Sequence, residues 1–239
     1  MTNAILASTS TVHGSDFLDY LLPEIEELYS VIDTVLFVPY ARPNGVSYDD
    51  YSKKAAHAFN KINVSLIGIH ELEDPILAIE RSQGIFVGGG NTFVLVNELY
   101  RNKLISSLQT AILNGTPFLG TSAGTNICGL TLGSTNDMPI VYPPSFETLG
   151  IIPFNINPHY LDPDPDSTHM GETRETRIFE FHKYNDQPVL GLREGSYLRL
   201  KEKSIELCGP KSARLFRKNQ EPRELESNSI LSATNGSVV

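Results

Sequence analysis

The chain has 239 residues, of which 40% are hydrophobic and 20% charged, with a formal net charge of -9. This length and composition can bury one substantial core, so we predict a single α/β domain at residues 1–220. Because binding to nucleic-acid phosphates requires a basic surface, the acidic balance argues against a nucleic-acid partner and favours small-molecule or peptide substrates.

Cysteine usage and the N-terminal sequence indicate the compartment. Cys128 and Cys208 are the only cysteines. They are far apart and have no metal-ligand spacing, so we expect reduced thiols. We also expect neither a metal nor another cofactor. The start of the chain resembles no signal peptide, and no apolar run reaches the roughly 18 residues of a membrane span. We therefore predict a cytoplasmic protein that binds no membrane, while monomer and homodimer both stay open.

In the first half of the chain, short apolar runs typical of strands alternate with segments of helical spacing. The predicted strands are 4–7, 35–39, 64–69, 85–87 and 117–120. Helices are predicted after Ser47 and after Asn91, where apolar residues recur at helical intervals. This alternation predicts a three-layer α/β fold, with a mostly parallel sheet and helices on both faces.

The second half contains proline-rich loops at 143–144 and 162–166, which a helix does not cross. The elements predicted around them are central strands at 151–155 and 189–192, a helix at 172–184, and short antiparallel strands at 197–200, 205–208 and 213–216. From residue 221 the chain is rich in Ser, Asn and Glu and has few apolar residues. We therefore predict a flexible tail at 221–239.

Gly120-Thr121-Ser122-Ala123-Gly124 directly follows the apolar run Thr116-Pro117-Phe118-Leu119. A serine flanked by small residues at a strand end is typical of the G-x-S-x-G elbow, where bulky side chains would obstruct the bent backbone and the substrate. Serine is equally suited to cap a helix. We interpret Ser122 as a nucleophile, with a helix cap as the alternative.

A serine nucleophile requires a base, and His159 is the best placed of the six histidines. It follows the strand predicted from Ile151 on the inflexible turn formed by Asn157-Pro158, which would hold an imidazole steady. The other histidines are His13 and His70, which follow strand-like runs, His57 and His182, on or near helices, and His169, in a loop. A structural histidine is the alternative for His159.

The base should in turn be oriented by a carboxylate. Glu194 follows the strand predicted at 189–192 and precedes a glycine that lets the chain turn. Asp137, in the loop after the elbow, is its rival. The order Ser122, His159, Glu194 differs from the α/β-hydrolase order, in which the acid precedes the histidine.

Gly88-Gly89-Gly90-Asn91-Thr92 follows the strand at 85–87 and opens a helix. Its unhindered N–H groups could face an anionic centre. The run lacks the third glycine of a dinucleotide-binding loop and the lysine of a P-loop, which disfavours nucleotide binding. We interpret the N–H groups of Gly89, Gly90 and Ala123 as an oxyanion hole, with a plain tight turn as the alternative.

Five motifs, taken together and in this order, resemble the peptidase E (α-aspartyl dipeptidase) family of serine peptidases. They are Gly88-Gly89-Gly90-Asn91, Gly120-Thr121-Ser122-Ala123-Gly124-Thr125-Asn126, Asn136-Asp137-Met138-Pro139, Asn157-Pro158-His159 and Gly171-Glu172-Thr173-Arg174. The resemblance implies a class I glutamine amidotransferase-like (flavodoxin-like) fold with serine in place of the elbow cysteine. It also implies a metal-free cytoplasmic enzyme that hydrolyses Asp-Xaa dipeptides.

The resemblance implies specific roles for four residues. Ser122 matches the family's nucleophile, His159 its base, Glu194 its acidic partner, and Asp137 a functionally important aspartate. Two alternatives to this activity stay open. They are a cyanophycinase-like exopeptidase and a non-catalytic sensor of small anions on the same fold.

Selection of an N-terminal aspartate requires a cation for its β-carboxylate, which an acidic protein must supply locally. Arg174 is our choice because it lies near the predicted rim of the site, and Arg177 and Arg42 are the alternatives. Asn91 is a second candidate substrate-binding residue. Glutamate carries one more methylene, so rejecting it requires a short, closed pocket.

Overall fold

The structure is a computed structural model that describes residues 2–43, 45–166, 168, 170–234 and 237–238. Its strands are β1 (Thr2–Ala7), β2 (Thr34–Val38), β3 (Ser65–Gly68), β4 (Gly84–Val87), β5 (Phe118–Thr121), β6 (Asn155–Pro158), β7 (Val189–Leu192), β8 (Tyr197–Glu202), β9 (Ser204–Cys208), β10 (Ala213–Phe216), β11 (Arg223–Leu225), β12 (Ile230–Thr234) and β13 (Ser237–Val238). Its α-helices are α1 (Leu22–Leu28), α2 (Tyr48–Asn60), α3 (Pro75–Arg81), α4 (Thr92–Arg101), α5 (Ile105–Leu113), α6 (Ala123–Asn126) and α7 (Arg174–Tyr184). Short 3₁₀ helices lie at Asp19–Leu21, Ile69–Glu71 and Leu132–Ser134.

The larger sheet has the order β13-β12-β9-β8-β1-β5-β4-β2-β3. The strands from β1 to β3 in this order run parallel, and β8, β9, β12 and β13 extend the sheet by antiparallel pairing. The helix caps agree with the sequence: Ser47 accepts a hydrogen bond from Asp50 N–H, and Asn91 accepts one from Val94 N–H. Both side chains satisfy N–H groups that a first helical turn leaves without a partner.

Alternate residues of the parallel strands contribute to two different hydrophobic clusters. Ile5 and Phe37 belong to the cluster that α1 and α2 cover. Leu6 and Leu36 belong to the cluster that α4 and α5 cover. Because successive side chains of a strand point to opposite faces, helices on both sides are needed to bury them. The predicted three-layer α/β fold is confirmed.

β6 and β7, which we predicted as central strands of the main sheet, belong to a second, smaller sheet. Its order is β11-β10-β7-β6, with β6 and β7 parallel. The prediction that the strands at 151–155 and 189–192 are central strands of the main sheet is therefore wrong, although β7 has the predicted bounds. The strand predicted from Ile151 begins only at Asn155, because the N–H groups of Ile151 and Ile152 bond the carbonyl of Cys128 rather than a strand.

The described residues of 221–239 differ from the predicted flexible tail, of which residues 235, 236 and 239 lie outside the described part of the chain. β11 pairs with β10, and β12 pairs with β9. Leu225 and Leu231 are 6% and 1% exposed, so both contribute to the core. A polar average composition conceals these well-spaced leucines, whose burial favours order in the strands around them.

Among the described residues, none of the helices is both long and apolar enough to span a membrane.

Candidate active site

Ser122 lies on the tight turn between β5 and α6. Its backbone angles, φ 53° and ψ -110°, are unusual for a residue other than glycine. Its N–H donates to Ala7 O at 3.1 Å. Its side chain makes no capping hydrogen bond to α6, which removes the helix-cap interpretation and leaves the hydroxyl free for another partner.

The two glycines of the elbow are required by close backbone contacts. A Cβ on Gly124 would collide with the backbone of Val87, at the end of β4. A Cβ on Gly120 would lie 2.6 Å from the carbonyl oxygen of Gly124. The elbow therefore packs directly onto the neighbouring strand, which fixes the height at which Ser122 leaves the sheet.

Three side chains from three strand ends meet at the elbow. His159 Nε2 lies 2.9 Å from Ser122 Oγ, and His159 Nδ1 lies 2.6 Å from Glu194 Oε1. The side chains of His159 and Glu194 are 38% and 45% exposed, so a small substrate can reach them. This arrangement allows His159 to take the proton of Ser122 while Glu194 orients the imidazole. The structure thus brings the predicted nucleophile, base and acid together.

The other described histidines lie elsewhere. His70 bonds Asp49, and His182 bonds the carbonyl of Gln187. His13 and His57 are exposed, while His169 lies outside the described residues. Within the described part of the chain, His159 is the histidine that contacts Ser122. No group of three or more His, Cys, Asp and Glu side chains there could hold a metal ion.

Asp137, the rival acid, makes different contacts. Its Oδ2 accepts hydrogen bonds from Thr92 N–H at 2.6 Å and from the Thr135 hydroxyl at 3.1 Å. A carboxylate at this position satisfies an N–H group at the start of α4 and interacts favourably with the helix dipole. Of the two candidate carboxylates, Glu194 is the one that bonds His159.

The glycine turn lies against the nucleophile but differs from the prediction in one donor. A Cβ on Gly89 would lie 2.9 Å from Ser122 Cβ. Gly89 N–H donates to the Tyr51 hydroxyl at 3.0 Å, so it is not available to an oxyanion. Gly90, with φ 149°, and Ala123 have N–H groups without a partner among the described residues. Assigning Gly89 as a donor therefore needs correction, while Gly90 and Ala123 stay candidates.

Tyr51 supports this turn, and the sequence analysis missed it. The side chain comes from α2 and is buried, and burial raises its pKa. The Arg42 guanidinium lies 4.6 Å from the centre of the Tyr51 ring. Arg42 thus packs on the face of the Tyr51 ring, whose hydroxyl accepts the N–H of Gly89. No local signal marked Tyr51, because a tyrosine on the buried face of a helix is ordinary in a core.

Arg174 is the first residue of α7 and is half-buried. Burial lowers the pKa of Arg174, the charge of Arg177 lowers it further, and Asp137 raises it. Among the described residues, no carboxylate forms an ion pair with Arg174. Arg174 is therefore a partly desolvated cation on the side of the site marked by Asp137, whereas Arg177 is exposed.

Asn91 is occupied by structural contacts. Its Oδ1 accepts from Val94 N–H at 3.1 Å, and its Nδ2 donates to Met138 O at 2.9 Å. These bonds cap α4 and hold the loop after Asp137. The predicted substrate contact of Asn91 therefore differs from the role that the structure gives its side chain.

Comparisons with known proteins show the family to which the chain belongs. The sequence profile described as Peptidase family S51 matches residues 4–208. The chain belongs to peptidase family S51. This S51 peptidase is similar to peptidase E of Streptomyces coelicolor, at 48% identity over 230 residues, which cover 96% of this chain and 93% of the relative. It is also 43% identical over 226 residues to a Drosophila melanogaster protein named probable alpha-aspartyl dipeptidase, with 93% of each chain covered.

A solved structure shows the same fold as this S51 peptidase. It is a peptidase from an acI-B1 Actinobacterium, with a TM-score of 0.72 and 14% sequence identity over 97% of each chain. The family that the five sequence motifs indicated is confirmed, and with it the class I glutamine amidotransferase-like fold.

Proposed function

We propose that this S51 peptidase is a serine dipeptidase that hydrolyses dipeptides with an N-terminal aspartate. The observation that carries the proposal is the unbroken series of contacts from Ser122 through His159 to Glu194. The names of its relatives, peptidase E and probable alpha-aspartyl dipeptidase, support the substrate class.

The reaction begins when Ser122 Oγ attacks the carbonyl carbon of the Asp-Xaa bond. His159 Nε2 accepts the hydroxyl proton, and Glu194 stabilises the imidazolium that forms. The tetrahedral intermediate collapses when His159 gives this proton to the departing amine of Xaa. A water molecule, deprotonated by His159, then hydrolyses the aspartyl ester on Ser122 and releases aspartate.

The negative charge of the tetrahedral intermediate faces Gly90 and Ala123. Their N–H groups flank the elbow and have no partner among the described residues. Donors fixed in place before the reaction stabilise a developing oxyanion without a cost of reorientation, and each is typically worth about 100- to 1,000-fold in turnover.

Arg174 is the residue we assign to the β-carboxylate of the substrate. A half-buried guanidinium without an ion-pair partner is stabilised when a carboxylate binds it, and its fork geometry suits two parallel hydrogen bonds. Glutamate would place its carboxylate one methylene further from the scissile bond. A site built around the shorter side chain misplaces either that carboxylate or the reacting carbonyl.

A substrate panel tests this function. Initial rates are measured on Asp-Leu, Glu-Leu, Asn-Leu, N-acetyl-Asp-Leu and a β-Asp-Arg dipeptide, with Ser122→Ala as the blank. We expect hydrolysis of Asp-Leu alone. Comparable cleavage of Glu-Leu would contradict the aspartate specificity, and cleavage of the acetylated peptide would remove recognition of the free amine. Selective cleavage of β-Asp-Arg would favour a cyanophycinase-like activity, and saturable binding without turnover would favour a sensor.

A further inference from the structure

Ser8, the residue that follows β1, contacts the segments that carry both His159 and Glu194. Its side chain is completely buried. The hydroxyl donates to Leu192 O at 2.7 Å and accepts from His159 N–H at 2.9 Å. A serine hydroxyl has one proton to donate, so the donation to Leu192 fixes the lone pairs toward His159. Leu192 ends β7, two residues before Glu194.

The backbone around Ser8 makes the remaining links. Ser8 N–H donates to Ser196 O at 3.1 Å, and Ser196 N–H donates to Arg193 O at 3.1 Å, which closes the turn that carries Glu194. The preceding residue, Ala7, accepts the N–H of Ser122. Ala7, which ends β1, and Ser8, which follows it, therefore bond all three segments of the site.

These links matter because the site spans two sheets. Ser122 follows β5 of the larger sheet, whereas His159 and Glu194 follow β6 and β7 of the smaller one. The distance between His159 Nε2 and Ser122 Oγ consequently depends on how the ends of the two sheets are held together. His159 also has φ 54°, a conformation that a non-glycine residue keeps only when its surroundings hold it.

We propose that the Ser8 hydroxyl is a positioning group for catalysis, which holds the His159 backbone and the end of β7 at the distance that Ser122 requires. The proposal rests on the proposed function, because it assigns Ser8 to the same reaction. Ser8 touches no reacting atom. Its effect passes through His159 and Glu194, so its loss should slow the chemical step and leave substrate binding nearly unchanged.

The first test compares Ser8→Ala with Thr148→Val. Thr148 is also buried, and its hydroxyl donates to Gly129 O at 2.8 Å, away from the three segments. Each variant loses one buried hydroxyl that bonds a backbone carbonyl. We expect Ser8→Ala to lower kcat about 10- to 100-fold with KM changed less than about threefold, because misplacement by about 1 Å costs up to about 100-fold. Thr148→Val should keep the wild-type kcat despite a similar loss of melting temperature.

Conservative variants separate positioning from folding. Ser8→Thr keeps a hydroxyl on the same Cβ and should recover most of the kcat, whereas Ser8→Cys, with a weak donor, should behave like Ser8→Ala. If Ser8→Ala gives no folded protein, Ser8→Cys carries the comparison. Wild-type kcat in a folded variant without the hydroxyl would overturn the proposal.

A double-mutant cycle provides a readout that a merely structural role would not give. In the Glu194→Gln background, the carboxylate no longer orients His159. Ser8→Ala should therefore lower kcat by less than about a further threefold in that background. If Ser8→Ala lowers kcat by the same factor in the Glu194→Gln background as in the wild type, the positioning role is overturned. The proposed function has its own test, because it fails if Ser122→Ala retains activity. If Ser122→Ala is inactive while Ser8→Ala keeps the wild-type kcat, only the Ser8 proposal fails.

Discussion

His159 Nδ1 and Glu194 Oε1 are 2.6 Å apart, and no other carboxylate among the described residues bonds His159. The short separation is typical of a charge-assisted hydrogen bond. It fixes which ring nitrogen faces the nucleophile, because Nδ1–H directed at Glu194 leaves Nε2 to accept the proton of Ser122. Asp137 instead bonds the N–H of Thr92.

The two carboxylates should therefore respond differently to removal of their charge. Glu194→Gln should lower kcat about 1,000- to 10,000-fold, because an amide does not hold the imidazole in the required tautomer or stabilise the imidazolium. Asp137→Asn keeps an oxygen for Thr92 N–H and should lower kcat by less than about tenfold. Rates on an aspartyl p-nitroanilide at saturating substrate measure both effects.

Thermal melting provides the control for this pair. Both variants should unfold within a few degrees of the wild type, since each substitution preserves side-chain volume. A folded Asp137→Asn variant with the larger loss of kcat would reassign the acid of the triad from Glu194 to Asp137.

The assignment of Ser122 as the nucleophile leads to a second, independent prediction. Ser122→Ala should abolish hydrolysis of the same p-nitroanilide, and a serine-directed phosphonofluoridate should then leave the protein unmodified. The melting temperature should change little, because the Ser122 side chain makes no capping bond and its N–H contact with Ala7 survives. Full activity in this variant would contradict the assignment of Ser122.

The position of the candidate site was predictable because it follows one general rule. Ligands of open α/β sheets gather at the carboxyl ends of strands, and Ser122, His159 and Glu194 each follow such a strand. The rule does not require knowing which sheet a strand enters, so the incorrect placement of β6 and β7 did not move the site. Applied to β1, the same rule selects Ser8, whose partner His159 is distant in sequence.

Other parts of the site depend on contacts that no local pattern encodes. The sequence shows a run of three glycines but not which N–H groups face the substrate. That choice depends on Tyr51, 38 positions from Gly89 in the sequence. Likewise, the strands after Glu221 pair with strands that precede them in the chain, with Leu225 beside Ala213 and Leu231 beside Ile205. Composition averages over such residues and cannot locate them.

Tyr51→Phe should weaken catalysis through the glycine turn. The variant leaves Gly89 N–H buried without its partner, so the turn can rotate and misdirect the neighbouring Gly90 donor. We expect kcat to fall about 10-fold with little change in KM, since the oxyanion forms only during the reaction.

Tyr29→Phe is the matched control for Tyr51→Phe. Tyr29 is equally buried, and its hydroxyl donates to Ile85 O at 2.7 Å, within β4 rather than at its end. Both variants should lose similar melting temperature, while Tyr29→Phe keeps the wild-type kcat. Equal losses of kcat in the two variants would show that general destabilisation explains the effect.

Glu224 belongs to the segment predicted as a tail, yet it bonds Arg193, the residue before Glu194, at 2.9 and 3.1 Å. Its hydrogen bonds with Arg193 lower the pKa of Glu224 below its ordinary value of 4.5. A carboxyl whose pKa is lowered in the folded state stabilises the protein above the pKa of the unfolded state. It loses this contribution as the pH falls through the folded-state value.

Glu224→Gln should therefore lower the melting temperature at pH 7 by about 1 to 4 °C, a modest effect because the pair is partly solvated. The difference from wild type should shrink below about pH 4.5, where protonation removes the same charge. Glu226→Gln, at an exposed carboxylate without an ion-pair partner among the described residues, is the control. A difference that stays constant from pH 7 to pH 3 would contradict the ion-pair explanation.

Arg174 and Arg177 lie one turn apart at the start of α7, and only Arg174 is half-buried. If Arg174 binds the β-carboxylate, Arg174→Gln should lower kcat/KM for Asp-Leu about 10- to 100-fold, the usual worth of a hydrogen bond to a charged group, chiefly through KM. Arg177→Gln removes an exposed charge and should change kcat/KM by less than about threefold. Arg174→Lys should recover only part of the loss, because an ammonium does not present two parallel donors. Equal effects at the two positions would mean that the general positive potential, and not a contact with Arg174, attracts the substrate.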